Sequence, residues 1–330
     1  MEMGKISLLC MVLTAAFGGE AAAAARCGSN SYLVWVSPGP EDFELQQDGP
    51  RGPRLILSAD DRRKHSGGRI VFLDLQGPRQ DVAEEATIVG RDSLPPLHPI
   101  GISLVDSMLY VIHADDRQRW IERFHVEATT LRAAGPPLQS PLVTTPNDLI
   151  ALPNGEIYLS NTGYGRSRIR DLLATLFHAK RGSVVHYDGS HWRPFAPRIY
   201  FPNGLAIDGD HLFLSVFGAM ELRIYSRASG SLLKTVKLDA HPDNLLWEVP
   251  GRVLDIAAHR SSTRTALHML SNHFSSPSIG YAYDVAVGRL DTIYDRPEFN
   301  ASSTALAARG RIYVSQLVDP YVAVLEDCRP

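Results

Sequence analysis

Four short segments, widely separated along the chain, each place oxygen-bearing side chains just ahead of an aliphatic or aromatic residue. The segments are "EDFEL" from residue 41, "NDLI" from 147, "NGLAI" from 203 and "DNLL" from 243. Hard cations such as Ca²⁺ take about six to eight oxygen ligands in irregular geometry, and carboxylates and side-chain amides can supply them. Zinc fits this set poorly, because the sequence has no pair of Cys or His residues at zinc-site spacing.

Each of these residues, taken alone, is typical of a turn or a strand start, where Asp and Asn are common. Their recurrence in phase favours a shared role. About eight to ten residues after the segments at 147, 203 and 243 comes a run rich in β-branched and aromatic residues, such as "GEIYLSN" at 155 or "HLFLSV" at 211, and such runs predict strands. The segments "GIS" at 101 and "STAL" at 303 precede similar runs.

The equivalent positions of the six copies recur about every 52 residues. They are Phe43, Ile102, Leu149, Leu205, Leu245 and Thr304. Six units of this length, each with about four antiparallel strands, predict an all-β fold, a six-bladed β-propeller. The oxygen-bearing residues would then open the innermost strands and meet in a central channel. A pair of β-sandwiches is the structural alternative. Residues 167–180, "SRIRDLLATLFHAK", depart from the β pattern and predict a short inserted amphipathic helix.

Composition and the first residues bear on where the protein works. The 330 residues are 44% hydrophobic and 21% charged, with a formal net charge of −3, which is typical of a globular protein and does not favour a nucleic-acid partner. Lys5 precedes the apolar run "ISLLCMVLTAAFGG" and the small-residue stretch "EAAAAAR". This pattern predicts a signal peptide over residues 1–25. The six repeats then predict one propeller domain over residues 26–330.

We therefore expect export, to the outside of the cell or to a periplasm. The apolar core of the signal has about 13 residues, short of the roughly 20 that span a bilayer, so a retained signal anchor is the less favoured alternative. No span is expected in the mature chain, and peripheral membrane contact stays open. Cleavage would remove Cys10 and leave one cysteine at each end, Cys27 and Cys328. In an oxidising compartment these two can pair, and two unrelated thiols are the alternative.

The sequence resembles the paraoxonases and arylesterases, within the calcium-dependent gluconolactonases and strictosidine-synthase-like propellers. The resemblance rests on "GPEDFEL", "HPIGIS", "PNDLIALPNGEIYLSN", "FPNGLAI", "DNLL" and the terminal cysteines, which occur in the order of that family. It extends over residues 27–328. Each motif is short, and the set as a whole is specific.

The resemblance implies two calcium ions in the channel and a disulfide between Cys27 and Cys328. The ligands of a catalytic ion would be Glu41, Asn147, Asn203, Asp243 and Asn244. The ligands of a buried structural ion would be Asp42, Asp148 and the backbone carbonyl of Ile102.

The sequence departs from the family pattern around the pocket. Paraoxonases have "HPHGIS" where this chain has "HPIGIS", so Ile100 replaces one member of a histidine dyad. His98 precedes it by two residues and would face the same side of a strand. His113 matches the second dyad histidine, His259 matches a further pocket histidine, and Thr162 replaces an acid. These changes put ester and organophosphate activities in doubt more than the metal site.

The chemistry that the resemblance implies is hydrolysis of a small-molecule lactone or activated aryl ester, with calcium as a Lewis acid. Because Ile100 removes the usual base, we expect Asp243 to take the proton of the attacking water, with His113 as second choice. Two alternatives stay open. One is a non-catalytic propeller that binds a ligand or a protein and has structural calcium, and the other is an enzyme of the strictosidine-synthase kind.

Overall fold

The computed structural model of the protein describes residue 27 and residues 30–64, 67–75, 83–115, 117–163 and 179–328. The strands in these ranges are β1 (Ser31–Trp35), β2 (Pro40–Gln46), β3 (Arg54–Asp60), β4 (Gly68–Asp74), β5 (Ala83–Glu85), β6 (Thr87–Val89), β7 (Pro99–Val105), β8 (Met108–Ala114), β9 (Arg119–Glu127), β10 (Thr130–Ala133), β11 (Pro146–Ala151), β12 (Ile157–Asn161), β13 (Gly182–Tyr187), β14 (Trp192–Ile199), β15 (Pro202–Asp208), β16 (His211–Val216), β17 (Glu221–Ser226), β18 (Leu232–Lys237), β19 (His241–Val249), β20 (Val253–His259), β21 (Pro277–Asp284), β22 (Arg289–Asn300), β23 (Ser302–Ala308), β24 (Arg311–Gln316) and β25 (Tyr321–Leu325).

These strands form six sheets, which are the six blades of a β-propeller. Blades 1, 3, 4 and 5 are β2–β5, β11–β14, β15–β18 and β19–β22, each paired in chain order. Blade 2 is β7–β10 with β6 added in parallel at its outer edge. Blade 6 is β23, β24 and β25 with β1 outermost. The predicted fold is confirmed, and the β-sandwich alternative is wrong.

The blades close into a ring around their innermost strands. Each innermost strand contacts the next one, from β2 through β7, β11, β15 and β19 to β23, and β23 contacts β2 again. Six buried apolar clusters lie between neighbouring blades, for example Phe213, Leu222 and Ile256 between blades 4 and 5. Because both faces of a blade are covered in this way, all seven residues of β3 are buried.

The two ends of the chain fasten the ring. β1 pairs antiparallel with β25, from Ser31 opposite Leu325 to Trp35 opposite Tyr321. A disulfide joins Cys27 to Cys328 beside this pair of strands, which confirms the implied pairing. Blade 6 therefore contains strands from both ends of the sequence, and opening it would release the ring.

One short α-helix and one 3₁₀ turn complete the described residues. The helix, α1 (Ser262–Leu270), was not predicted; it follows β20, and Ser261 caps it by accepting a hydrogen bond from the Arg264 N–H. The 3₁₀ turn spans Phe217–Ala219. The helix predicted at 167–180 lies almost wholly outside the described residues, as does the predicted signal peptide. Among the helices that the structure describes, none has the length and hydropathy to cross a membrane.

Candidate active site

A β-bulge interrupts the innermost strand of every blade near its start. The register with the second strand shifts between Pro40 and Asp42, Pro99 and Ile102, Pro146 and Leu149, Pro202 and Leu205, Pro242 and Leu245, and Ser302 and Ala305. The oxygen-bearing candidates occupy or border these shifts. A bulge adds a residue and re-aims side chains, whereas neighbours on a regular strand face opposite sides. The bulges therefore explain how an acid and an amide in sequence can serve one channel.

Glycine takes one bulge position in blades 2 and 4 because the neighbouring strand leaves no room for a side chain. A Cβ on Gly101 would lie 2.5 Å from the carbonyl oxygen of Asn147. A Cβ on Gly204 would lie 2.6 Å from the Cα of Asn244. The innermost strands thus approach backbone to backbone, and the polar side chains of adjacent blades are brought together.

Serines on the second strands hold the bulges in place. Ser215 Oγ accepts from the Gly204 N–H at 2.7 Å and donates to the Asp243 carbonyl at 2.5 Å. Ser315 Oγ accepts from the Thr304 N–H and donates to the Glu41 carbonyl, both at 3.0 Å. Each hydroxyl therefore accepts from a backbone N–H at the bulge of its own blade and donates to a backbone carbonyl of the next blade. These hydrogen bonds fix the backbone that carries the site.

The first set of polar side chains in the channel, here called the Asp243 group, is Glu41, Arg62, Asn203 and Asp243. Asn203 Nδ2 donates to Asp243 Oδ1 at 2.5 Å. Arg62 Nη2 forms an ion pair with Glu41 Oε2. Burial lowers the pKa of Arg62 to about 10, against the opposing effect of the negative charge on Asp243. Within the described part of the chain, Asn203 Oδ1 is buried and accepts no hydrogen bond, and Glu41 Oε2 is buried with Arg62 as its partner.

A second oxygen of Asp243 faces a histidine. Asp243 Oδ2 lies 2.7 Å from His259 Nε2 and accepts from Ser303 Oγ at 3.3 Å. On the other side of the ring, His259 Nδ1 lies 3.2 Å from the hydroxyl of Thr265, which belongs to α1. Since a carboxylate needs a donor, His259 carries a proton on Nε2, and the Thr265 contact orients the ring.

The second set, here called the Asp42 group, is Asp42, Glu44, Asp148 and Thr304. Asp42 accepts from the N–H groups of Phe43 and Ile102 at 2.9 and 2.8 Å, and Asp148 accepts from those of Leu149 and Leu205 at 2.7 and 2.6 Å. The Thr304 hydroxyl lies 3.1 Å from Asp42 Oδ1 and accepts from Asn244 Nδ2 at 2.9 Å.

The acids of the Asp42 group hold protons unusually well. Burial raises the pKa of Asp42 to about 7, and burial together with the charge on Asp42 raises that of Glu44 to about 8. Burial and the charge on Asp42 also raise the pKa of Asp148. Asp42 and Asp148 are buried and repel each other, so a divalent cation would be favoured there because it removes the repulsion.

Two of the predicted pocket histidines lie side by side. The His98 N–H donates to His113 Nδ1 at 3.2 Å, and the two rings are 5.9 Å apart. His113 is buried and stacks on Trp120 at 4.3 Å, and burial lowers its pKa. His98 Nδ1 lies 3.1 Å from Asp60 Oδ2. Because Nδ1 of neutral His113 is an acceptor, its proton is on Nε2, which leaves no free lone pair for a base.

The remaining predicted residues have less direct contacts with these groups. Ile100 packs against the apolar cluster between blades 2 and 3. Thr162 is buried, and its N–H donates to the Thr145 carbonyl at 2.9 Å. Asn147 lies half-buried at the bulge of β11. The Ile102 N–H donates to Asp42 Oδ2. The ligand role of the Ile102 carbonyl stays a prediction.

Comparison with known proteins identifies the family. A family model described as Arylesterase matches residues 61–280, two thirds of the sequence. The chain belongs to the arylesterase family. The matched range of this arylesterase includes the bulges of blades 2 to 5 and the three pocket histidines, and it ends before Cys328 and begins after Glu41. Membership supports an esterase-type hydrolase that acts on a small molecule.

Comparisons with curated proteins and with solved structures bear on the sequence relatives and on the fold. No curated protein matches this arylesterase in sequence. The PQQ-bound aldose sugar dehydrogenase from Streptomyces coelicolor has a TM-score of 0.53 at 13% identity, with coverage of 91% of this chain and 99% of that one. A chain of a nidogen–laminin complex has a TM-score of 0.49 at 14% identity, covering 81% and 96% respectively. The first of these likenesses shows a shared fold alone, and no inference is based on the second.

The residues of the Asp243 group fit a hard cation. Asn203 Oδ1 is buried and accepts no hydrogen bond among the described residues, and it lies beside Asp243, while the buried carboxylate of Glu41 faces Arg62. Among the residues that the structure describes, no three His, Cys, Asp or Glu side chains gather as a metal-binding group, so amide oxygens would have to complete the set. Such a mixture of carboxylate and amide oxygen suits calcium and disfavours zinc.

Sequence reasoning missed two kinds of residue. Arg62 lies in "DDRRK", a charged run directly after β3, and nothing in the run indicates that one cation turns inward. The bulge serines had a visible signal, because "ILSA", "YLSN", "FLSV" and "YVSQ" repeat a serine in phase with the blades. This repeated serine was not among the predicted site residues.

Proposed function

We propose that this arylesterase-family protein is a calcium-dependent hydrolase of lactones or aryl esters, exported after loss of residues 1–25, with two calcium ions in one propeller domain. The observation that carries the proposal is the buried Asn203 Oδ1, which accepts no hydrogen bond among the described residues, together with the buried carboxylates of Glu41 and Asp243. The catalytic ion would be held by these three residues together with Asn147 and Asn244. Asp42, Asp148 and the Ile102 carbonyl would hold the structural ion.

Calcium bound at the Asp243 group would supply a Lewis acid for the substrate carbonyl. Asp243 provides the base. Among the described residues, Asp243 Oδ2 faces His259 and Ser303, whereas Oδ1 accepts from Asn203 Nδ2 alone, so Oδ1 is the atom that can take the proton of the attacking water. That proton then passes to the leaving alkoxide. His259 and Asn203 position the carboxylate, and neither needs to exchange a proton.

His113 is the weaker candidate for the base, because its geometry makes it a donor. Its Nδ1 accepts from the His98 N–H, and its Nε2 is buried 3.7 Å from Asp115 Oδ2. Burial lowers the pKa of His113, which favours the neutral ring. His113 and its neighbour His98 therefore line the pocket in this proposal, together with Ile100, Thr162 and His259.

The test is hydrolysis of an aliphatic γ-lactone, a long-chain acyl-homoserine lactone, gluconolactone and phenyl acetate, with and without a chelator. Chelation should abolish turnover and calcium should restore it. Asp243→Asn should lower kcat at least about 100-fold, the usual size of a lost general base, while His113→Gln loses much less. Full turnover by an Asp243→Asn protein that still binds calcium would refute the base assignment. No turnover of any substrate by folded, calcium-loaded protein would favour the non-catalytic alternative.

A further inference from the structure

The Asp243 group contains a cation of its own. The guanidinium of Arg62 enters from the turn after β3 and pairs with Glu41 Oε2, and the charge on Asp243 acts on it as well. Glu41, Asn203 and Asp243 are each at least nine-tenths buried. Arg62 thus brings one positive charge to the two carboxylates that calcium would require.

The guanidinium is held by charge and not by a network of hydrogen bonds. Within the described residues, Arg62 Nη2 contacts Glu41 Oε2, and Arg62 Nε is buried and makes no hydrogen bond. A guanidinium with an unsatisfied N–H donor is stabilised less by its surroundings than one that forms a bidentate pair with a carboxylate. Its side chain keeps one fifth of its surface exposed, so a path to solvent exists.

The turn that carries Arg62 is anchored independently of the channel. Asp61 Oδ1 accepts from the N–H groups of Arg63 and Lys64, both at 3.1 Å. Arg63 points the other way and donates to the Met269 carbonyl at 3.2 Å, at the end of α1. The turn therefore does not depend on the pair between Arg62 and Glu41, and a movement of the Arg62 side chain alone would break that pair.

We propose that Arg62 is an internal counterion that competes with calcium for Glu41 and Asp243, so that calcium binding at this site is an exchange of one cation for another. The inference rests on the proposed function for the identity of the metal. A divalent ion beside an unmoved guanidinium would meet strong like-charge repulsion, which in a buried site is weakly screened. Calcium must therefore displace Arg62, and its apparent affinity is reduced by the lost ion pair.

The experiment measures calcium binding by titration calorimetry and thermal unfolding for the wild type, Arg62→Gln and Arg62→Met, with calcium chloride as the probe. Arg69→Gln is the matched control, because it removes the same charge from an exposed pair with Glu85. Both Arg62 variants should bind calcium at least about tenfold more tightly than the wild type. They should melt lower without calcium, since Glu41 then has no counterion, and should gain more from calcium.

The outcomes separate the two ideas. Equal affinity in the wild type and the Arg62 variants overturns the competition and leaves the calcium-dependent hydrolase standing. Binding only in the variants supports the competition and overturns calcium dependence in the wild type. Absence of binding in every protein overturns both. If the variants fail to fold, the ¹⁵Nε resonance of Arg62 in the wild type decides: it should shift on calcium addition, and an unchanged resonance in calcium-loaded protein overturns the exchange.

Discussion

Raising the pH from about 6.5 to about 8 in the presence of a chelator should destabilise the protein, because buried carboxyl groups lose their protons in that interval. Burial raises the pKa of Asp42 to about 7 and that of Glu44 to about 8, and it raises the pKa of Asp148 in the same direction. Below these values the folded state keeps protons that the unfolded chain has already released. The free energy of unfolding therefore falls as the pH rises through them.

Histidines also titrate in this interval, in both directions. Burial lowers the pKa of His113, His186 and His241, so their contribution to stability rises until about one pH unit above the ordinary histidine value of about 6.5. The hydrogen bond with Asp319 raises the pKa of His268, so its contribution falls as the pH rises. A carboxyl variant therefore isolates the effect of the acids. Over the interval, Asp42 and Glu44 together should reduce the free energy of unfolding by about 1–2 kcal/mol, with the share of Glu44 reduced because part of its surface is exposed. For a chain of this size the melting temperature should fall by about 3 °C.

Thermal unfolding followed by circular dichroism, at constant ionic strength, measures this slope. Glu44→Gln removes one titrating group with little change of shape, so it should flatten the pH dependence. Glu85→Gln, on the exposed outer strand of blade 1, should leave the dependence unchanged. A melting temperature of the metal-free wild type that rises with pH, or a Glu44→Gln slope equal to that of the wild type, would refute the reasoning.

Two further predictions concern the scaffold. Gly204→Ala should cost at least about 2 kcal/mol in urea unfolding, because the added Cβ meets the backbone of Asn244 at 2.6 Å. Gly209→Ala, which has open space around it, should cost about 1 kcal/mol from its positive φ alone, and equal costs would contradict the close approach of the strands. Replacing Cys27 and Cys328 together by Ser should cost about 2–5 kcal/mol. An unchanged urea midpoint would show that β1 closes the ring without the disulfide.

The number of blades and the starts of their innermost strands were predictable because the sequence repeats them. Phe43, Ile102, Leu149, Leu205 and Leu245 are all buried in the innermost strands, each next to a bulge that has polar side chains in every case except Ile102. Repetition shows a register that no single copy reveals, since one Asp–Asn pair is equally typical of a turn. The consecutive pair Asp243–Asn244 could be assigned to the channel only because it occupies the same repeat position as the polar residues of other blades.

Arg62 and Thr265, which contact the Asp243 group and His259, were not predictable, because they lie in segments with no common sequence pattern. Arg62 is one of three consecutive basic residues, and only packing decides that it turns inward while Arg63 turns to α1. Helix α1 has nine residues, too few for periodicity to distinguish it from a loop between strands. The contact of Thr265 with His259 depends on that helix and was therefore invisible as well.

The two groups of acids differ in how their charge is compensated, and this difference separates their roles. Asp42 and Asp148 each face two backbone N–H groups, which cannot move without breaking a blade. Among the described residues, the carboxylates of Glu41 and Asp243 face side chains, those of Arg62, Asn203, His259 and Ser303, which can rotate. A ligand that must enter and leave requires partners that can move aside at low cost. Chemistry that depends on exchange therefore belongs to the Asp243 group, and the Asp42 group is suited to a permanent structural ion.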